Sequence, residues 1–252
     1  MEKKLIIFPT FNEAEALPVI YEQIEKYLDK NTSILIVDDN SPDGTGKIAD
    51  KIAKVDKKVN VLHRKSKEGL GAAYVEAFRW GIDNGFDILI QMDVDGSHRP
   101  EDLPKLLNVI ENDPDVDLVI GSRWVDGGET KNWPAARIAL SKSGSLWSKL
   151  IMGLNVHDIT AGFRAYRKRV FEKYINLDTI DVKGFGFQID NTAKLAYRGG
   201  KIVEVPIVFV ERELGESKMS NDIVVEALLS TTKVGIKHRL IQLKHLFYGK
   251  GE

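Results

Sequence analysis

Hydrophobic residues in the first half of the chain occur in short continuous runs that alternate with amphipathic stretches. The runs are rich in β-branched residues and predict strands at 4–8, 33–38, 59–62, 87–92, 117–120 and, further along, 201–210. The stretches near 14–29, 45–55, 70–84 and 101–112 have the spacing of amphipathic helices. Continuous apolar strands separated by helices are typical of a mostly parallel sheet covered on both faces. The pattern therefore predicts an α/β fold.

The pattern changes after residue 122. Residues 131–152 combine basic side chains with many apolar ones and contain no acid, and the stretch from about residue 221 has a helical period with a lysine stripe. No internal repeat, low-complexity tract or Pro/Gly-rich linker interrupts the chain. We therefore predict one domain over 1–252, with a first half at 1–122, a second half at 123–230 and a basic amphipathic helix at 231–252.

Composition narrows the class of protein. The 252 residues include 37 acidic and 36 basic side chains, so no global positive field favours nucleic acid as a partner. The chain has no cysteine, which excludes disulfides, zinc–thiolate sites and iron–sulfur clusters and suits a reducing cytosol. The first residues lack the apolar length of a signal peptide, and no segment approaches the roughly 20 apolar residues that span a bilayer. We expect a soluble protein, or one attached to a membrane surface.

Polar residues follow three of the predicted strands. They are PTFNE at 9–13, DDNS at 38–41 and DVD at 93–95. Ligands of parallel α/β sheets bind beyond the carboxyl ends of the strands, so all three segments are expected at one crevice. This convergence is more informative than any one of the motifs.

The DVD segment predicts a cation site. Side chains two residues apart on an extended segment point the same way, so Asp93 and Asp95 could face one Mg²⁺ or Mn²⁺. Such an ion is usually completed by water and substrate phosphates. The alternative, solvated loop acids or helix caps, is common for so short a motif. Asp38 and Asp39 are candidates for a base or ribose contact, whereas Ser41 and Asp43 are expected to cap the following helix.

Other motifs argue against competing classes. Gly69-Leu70-Gly71 lacks a third spaced glycine and is interpreted as a helix N-terminus with close packing. A dinucleotide-dependent oxidoreductase is disfavoured because no GxGxxG follows the first strand. The five histidines have no metal-ligand spacing, although His98 adjoins the acidic motif.

The ordered segments PTFNE, IVDDNSPDGT, MDVDGSHRP, GSRW, TAGFRAYRK and FVERELGESK resemble the family 2 glycosyltransferases. Within that family they are most similar to the polyprenyl-phosphate (dolichyl-phosphate) β-mannosyltransferases, from residue 4 to about 230. The resemblance implies a GT-A fold, Mg²⁺ or Mn²⁺, GDP-mannose as donor and a polyprenyl or dolichyl phosphate as acceptor. It makes the first half the nucleotide-sugar-binding half and the second the acceptor-binding half.

The resemblance also assigns roles to residues of this chain. Nucleotide contacts fall on Pro9, Phe11, Glu13, Val37 and Asp39. The family more often has tyrosine where Phe11 stands, so a hydroxyl contact there is in doubt. Donor and metal contacts fall on Asp93, Val94 and Asp95, with Ser97 at a position that reaches the metal in some members. Contacts to the transferring phosphate fall on Arg123, and on Arg212 and Lys218 in a closing loop. Acceptor-phosphate contacts fall on Arg137 and Ser141.

The implied reaction is inverting. An oxygen of the lipid phosphate attacks the anomeric carbon and GDP leaves. The catalytic residues would be Asp95, which holds the ion, and Arg123, Arg212 and Lys218, whose charge-assisted hydrogen bonds stabilise the departing diphosphate by about 3–4 kcal/mol each. Arginine can also grip a phosphate with two nitrogens. A phosphate acceptor is already anionic, so no strong general base is required.

A polyprenyl phosphate lives in a bilayer, which makes the membrane surface an expected partner. We expect a peripheral protein on the cytoplasmic face, and some relatives rely on small membrane subunits. The basic stretch 233–248 and the acid-free segment 133–154 are candidates for the contact with lipid. The alternative is that both pack on the domain.

Three other functions stay open. One keeps the fold and uses UDP-glucose or another nucleotide sugar. Another is a non-catalytic, nucleotide-sugar-binding partner subunit. A third is a phosphatase with Asp93 as nucleophile.

Overall fold

The fold is seen in a computed structural model that describes residues 2–180, 186–211, 231–232 and 235–236. The strands within these residues are β1 (Lys4–Thr10), β2 (Thr32–Asp38), β3 (Val59–His63), β4 (Ile88–Gln91), β5 (Leu118–Ser122), β6 (Glu129–Lys131), β7 (Arg164–Arg167), β8 (Ile202–Pro206) and β9 (Val208–Val210). The α-helices are α1 (Ala16–Glu25), α2 (Thr45–Val55), α3 (Leu70–Asp83), α4 (Leu103–Asn112), α5 (Ala135–Met152), α6 (Arg169–Lys173) and α7 (Gly186–Tyr197).

Seven strands form one sheet in the order β3-β2-β1-β4-β7-β5-β8. All neighbouring pairs are parallel except those of β7, which runs antiparallel between β4 and β5. The predicted α/β fold with a mostly parallel sheet is therefore confirmed. The parallel strands end at one edge of the sheet, which we call the carboxyl edge.

The four predicted helices within the described residues correspond to α1, α2, α3 and α4 to within a few residues, whereas one strand prediction fails and two observed strands were missed. Residues 201–210 do not form one strand, since β8 ends at Pro206 and β9 pairs with β6 in a separate two-stranded sheet. Strand β7 was not predicted, because its four residues RAYR have an arginine at each end and lack an apolar run. The edge strand β6 is similarly short and polar.

The core lies on both faces of the sheet, which explains the continuous apolar runs. Alternate residues of β1 point to opposite sides, with Leu5 and Ile7 packed under α3 and with Ile6 and Phe8 packed under α1 and α4. Helix α5 packs less closely and exposes apolar side chains, namely Leu140, Leu146, Trp147 and Leu150. Within the described part of the chain, no helix is both long and apolar enough to cross a bilayer.

Candidate active site at the carboxyl edge

The loops after β1 and β2 are locked together by hydrogen bonds. The backbone N–H of Asn12 donates to Ser41 Oγ (3.1 Å) and that of Glu13 to Thr45 Oγ1 (2.9 Å). The ammonium group of Lys67, in the loop after β3, lies 4.0 Å from the centre of the Phe11 ring. The segments after β1 and β2 therefore share one surface, as the sequence predicts, and the loop after β3, which was not among the predicted segments, joins them.

The Asp38 carboxylate is held by hydrogen bonds within the protein, and its predicted contact with the base or ribose remains a prediction. Its carboxylate accepts from Ser41 Oγ at 2.6 Å and from Thr10 Oγ1 at 3.3 Å. A Cβ at Gly46 would lie 2.7 Å from Asp38 Oδ2, so α2 can approach this carboxylate only with glycine there. The predicted cap is confirmed for Asp43, which accepts from the N–H of Thr45 at 3.0 Å. It is wrong for Ser41, which bridges the two loops instead.

Asp39 is paired with an arginine that sequence reasoning missed. Arg64 Nη1 lies 2.5 Å from Asp39 Oδ1, and the two side chains are 5% and 9% exposed. Arg64 Nε also donates to Glu76 Oε2 at 2.5 Å. Burial raises the pKa of Asp39, against the opposing effect of the Arg64 guanidinium. The available signal was position: Arg64 directly follows β3 and so had to lie at the carboxyl edge.

Two valines with predicted contacts to the sugar-nucleotide donor have buried side chains. Val37 is fully buried in the core and Val94 nearly so, which leaves only their backbones for a ligand. Pro9 is half-buried on β1, and the Glu13 side chain is buried beside α1. The roles of these four residues remain predictions.

The DVD motif forms a turn rather than the end of a strand, because β4 stops at Gln91. Asp95 Oδ1 accepts from both the N–H (3.0 Å) and the hydroxyl (2.6 Å) of Ser97. The Asp93 N–H donates to His98 Nδ1 at 2.9 Å, and the Tyr74 hydroxyl donates to Asp93 Oδ1 at 3.4 Å. Burial, with the nearby Asp93 carboxylate, raises the pKa of Tyr74 well above its usual value, so Tyr74 stays a donor.

The donor set of this turn fits a hard divalent cation that a ligand helps to hold. Among the described residues, no group of three or more His, Cys, Asp or Glu could bind a metal without further ligands. Two carboxylates are the usual protein contribution to a Mg²⁺ site completed by phosphates and water. The Ser97 hydroxyl orients Asp95 in this structure, and its predicted role as a metal ligand is untested.

Arg123 follows β5 at the same edge and is held by a buried carboxylate. Asp158, which is inaccessible to solvent, accepts from Arg123 Nε at 2.7 Å and from Nη2 at 2.6 Å. The guanidinium also lies among the rings of Trp124, Trp133 and Phe209. Sequence reasoning missed Asp158, because the segment before β7 contains no strand or motif that would place it here.

The predicted acceptor contacts lie on α5. Arg137 Nη1 lies 2.5 Å from Glu211 Oε1, and its guanidinium carbon lies 4.0 Å from the centre of the Trp133 ring. Ser141 lies one turn further along and is half-buried. Arg212, Lys218 and most of the predicted C-terminal helix lie outside the described residues.

A mostly parallel sheet with a paired-aspartate turn after its fourth strand defines the GT-A class of glycosyltransferase fold. The chain belongs to Glycosyl transferase family 2, which matches residues 5–175. It is 52% identical over 235 residues to the undecaprenyl-phosphate mannosyltransferase of Micrococcus luteus, covering 93% of this chain and 95% of that protein. It is 49% identical over 240 residues to the polyprenol monophosphomannose synthase of Mycolicibacterium smegmatis, covering 95% of this chain and 89% of that protein.

Solved structures share the fold at low sequence identity. Glucosyl-3-phosphoglycerate synthase from Mycobacterium tuberculosis, in complex with Mn²⁺, UDP and glucosyl-3-phosphoglycerate, matches with a TM-score of 0.67 and 16% identity over 92% of this chain and 80% of that one. The same enzyme in complex with UDP matches with a TM-score of 0.66 and 15% identity over 93% and 80% of the two chains. At this identity the likeness concerns the fold alone.

Proposed function

We propose that the protein transfers mannose from GDP-mannose to a polyprenyl phosphate, with inversion at the anomeric carbon. The observation that carries the proposal is the 52% identity to the Micrococcus luteus mannosyltransferase, which extends over 93% of this chain and so over both halves. Donor and acceptor would meet at the carboxyl edge, where the loops around Asp39, Asp95 and Arg123 lie.

We propose that the base, the diphosphate and the metal ion bind at different loops of the carboxyl edge. The base would bind beside Phe11 and Asp39, at the joined loops after β1, β2 and β3. The diphosphate would lie between the DVD turn and Arg123. Mg²⁺ or Mn²⁺ held there by Asp93 and Asp95 would supply Lewis-acid stabilisation of the leaving diphosphate.

The carboxylates at this edge support a phosphate acceptor rather than a sugar hydroxyl. Asp38, Asp39 and Asp158 each accept hydrogen bonds from protein donors. A hydroxyl acceptor needs a general base to take its proton, whereas a phosphate oxygen is anionic at neutral pH. Arg137 and Ser141 on α5 would bind this phosphate, which would compete with Glu211 for Arg137. Arg212 and Lys218 would contact the leaving diphosphate.

The exposed face of α5 supports contact with a membrane surface. Leu146 and Leu150 are one helical turn apart and 58% and 65% exposed, and Lys142 and Lys149 lie on the same helix. A helix of this kind can lie in the lipid interface with its lysines near anionic headgroups. A peripheral location on the cytoplasmic face and a small membrane partner remain part of the proposal.

The test is transfer of radiolabelled mannose from GDP-mannose to a short-chain polyprenyl phosphate by the intact protein in detergent, with Mn²⁺ or Mg²⁺. We expect a lipid-linked product from GDP-mannose, none from UDP-glucose, and none after removal of the metal with EDTA. Asp95→Asn should remain folded and lose most of the activity. Transfer from UDP-glucose but not from GDP-mannose would show that UDP-glucose is the donor. Tight binding of GDP-mannose without any transfer would indicate a non-catalytic partner subunit.

A further inference from the structure

The side chain of Arg123 has most of its hydrogen-bonding capacity occupied by the protein. Asp158 Oδ2 accepts from the Arg123 backbone N–H at 2.9 Å and from Nε at 2.7 Å. Nη2 donates both of its protons, to Asp158 Oδ1 at 2.6 Å and to Thr160 Oγ1 at 3.0 Å. A guanidinium has five N–H donors, so only the two on Nη1 remain. Nη1 has no hydrogen-bond partner among the described residues.

Aromatic rings further restrict the group. The guanidinium carbon lies 5.2 Å from the centre of the Trp124 ring and 5.4 Å from the centres of the Trp133 and Phe209 rings. Arg123 as a whole is only 9% exposed. A ligand can therefore meet this arginine through one nitrogen, and the two-nitrogen grip expected from the sequence is excluded in this arrangement.

Asp158 is itself fixed from the sheet. Glu204, which pairs with Ile120 across β5 and β8, accepts from the Asp158 N–H at 2.9 Å and from the His157 N–H at 2.8 Å. His157 Nδ1 lies 2.8 Å from the same carboxylate. The carboxylate that orients Arg123 is thus anchored to the strand next to the one that Arg123 follows.

We infer that Asp158 is the positioning residue of Arg123: it orients the guanidinium so that Nη1 alone is presented to the terminal phosphate of the leaving nucleotide diphosphate. This inference rests on the proposed function. Because Asp158 is inaccessible to solvent and bound to a cation, it does not act as a general base on the acceptor. Pairing also offsets the charge of Arg123, which makes this arginine a directed hydrogen-bond donor rather than a free cation.

A double-mutant cycle on kcat tests the inference. We expect Arg123→Gln to lower kcat by about 100–1,000-fold, as loss of one transition-state donor does. Asp158→Asn should lower it by about 10–100-fold, comparable to the loss of an outer-shell partner at a metal site. The double variant should be no slower than Arg123→Gln, because Asp158 acts only through that arginine. If Asp158→Asn lowers kcat in the Arg123→Gln background by the same factor as in the wild type, the inference is overturned.

The matched control is Asp117→Asn at the opposite edge of the sheet. Asp117 is also a buried carboxylate paired with an arginine, since its Oδ1 accepts from Arg169 Nε at 2.7 Å. Any kcat loss from its substitution should multiply with that of Arg123→Gln. If Asp158→Asn fails to fold, Thr160→Val keeps the ion pair and removes the second acceptor of Nη2. Thr160→Val should lower kcat a few-fold in the otherwise unchanged protein and should not lower it when Arg123→Gln is also present. A reduction of kcat that persists beside Arg123→Gln would overturn the inference.

Binding distinguishes failure of this inference from failure of the proposed function. With Mn²⁺ present, Arg123→Gln and Asp158→Asn should each weaken the binding of GDP and leave the binding of GMP unchanged, because GMP lacks the terminal phosphate. The two losses of GDP affinity should not add in the double variant. If the wild type transfers no mannose but binds UDP, the same double-mutant cycle is measured with UDP and UMP in place of GDP and GMP. Additive losses on the diphosphate would overturn the positioning role whatever the donor, as would a wild type that binds neither diphosphate.

Discussion

Replacing Arg64 with methionine tests the buried ion pair at the predicted base-binding loops. Arg64 and Asp39 are 5% and 9% exposed in their side chains, so the substitution leaves Asp39 buried without its counter-charge. Breaking one side of a buried pair typically costs about 3–5 kcal/mol. Glu76 and Glu68, the other partners of Arg64, are 51% and 64% exposed and return to water with little penalty. We therefore expect a loss within that range, arising from Asp39.

The pH dependence identifies the group responsible. Burial raises the pKa of Asp39, so ionised Asp39 is disfavoured in the folded state and stability falls as pH rises through the folded-state pKa. Removing Arg64 takes away the charge that opposes this shift. The destabilisation of Arg64→Met should therefore be largest at neutral and higher pH and shrink as the pH is lowered. Adding Asp39→Asn should recover much of the lost stability at pH 7.

The assay is urea unfolding followed by circular dichroism, with Arg79→Met as the matched control. Arg79 pairs with Asp178, but the two side chains are 47% and 79% exposed, so its loss should cost less than about 1 kcal/mol. The reasoning is refuted if Arg64→Met costs no more than Arg79→Met. It is also refuted if Asp39→Asn brings no recovery in the double variant.

Three further substitutions test other parts of the account. Tyr74→Phe removes the donor to Asp93 Oδ1, at 3.4 Å, and should raise the Mn²⁺ concentration for half-maximal activity about two- to ten-fold in a metal titration. Gly128→Ala places a Cβ 2.7 Å from backbone atoms of Arg123 and should lower stability by about 1–3 kcal/mol in urea unfolding. Leu146→Glu removes an apolar side chain that is 58% exposed and should weaken binding to anionic lipid vesicles about ten-fold or more in co-sedimentation.

Matched controls make these outcomes specific. Tyr74→Phe should leave the urea midpoint nearly unchanged, and an unaltered metal requirement would remove Tyr74 from the site. Gly144→Ala lies in open space on α5 and should be neutral or stabilising; equal losses at both glycines would contradict the steric argument. Val55→Glu alters a residue that is 81% exposed on α2 and should leave vesicle binding intact. Leu146→Glu that binds vesicles like the wild type would exclude α5 from the lipid contact.

The sequence predicted those parts of the fold that depend on local pattern. Continuous apolar runs marked β1, β2, β4 and β5 because both faces of the sheet are buried, and α2 begins at Thr45, directly after the predicted turn that contains Asp43. Strand β7 was missed because its place between β4 and β5 depends on packing across the sheet and not on its own four residues.

The site divides in the same way. Residues that directly follow a predicted strand, such as Asp39 and Asp95, could be placed at the carboxyl edge from the sequence alone. Their partners could not, because Arg64 and Asp158 act across 25 and 35 residues of chain and no local pattern encodes such pairs. The turn geometry that brings the Ser97 hydroxyl to Asp95 also depends on backbone torsions that the pattern does not specify.

Anomalous diffraction from crystals of the protein soaked with Mn²⁺ and GDP gives the most direct test of the proposed site. The account predicts one manganese peak bound by Asp93 or Asp95 and by the diphosphate, with Arg123 Nη1 in contact with the terminal phosphate. A nucleotide bound away from the carboxyl edge, or a manganese ion that touches neither aspartate, would contradict it.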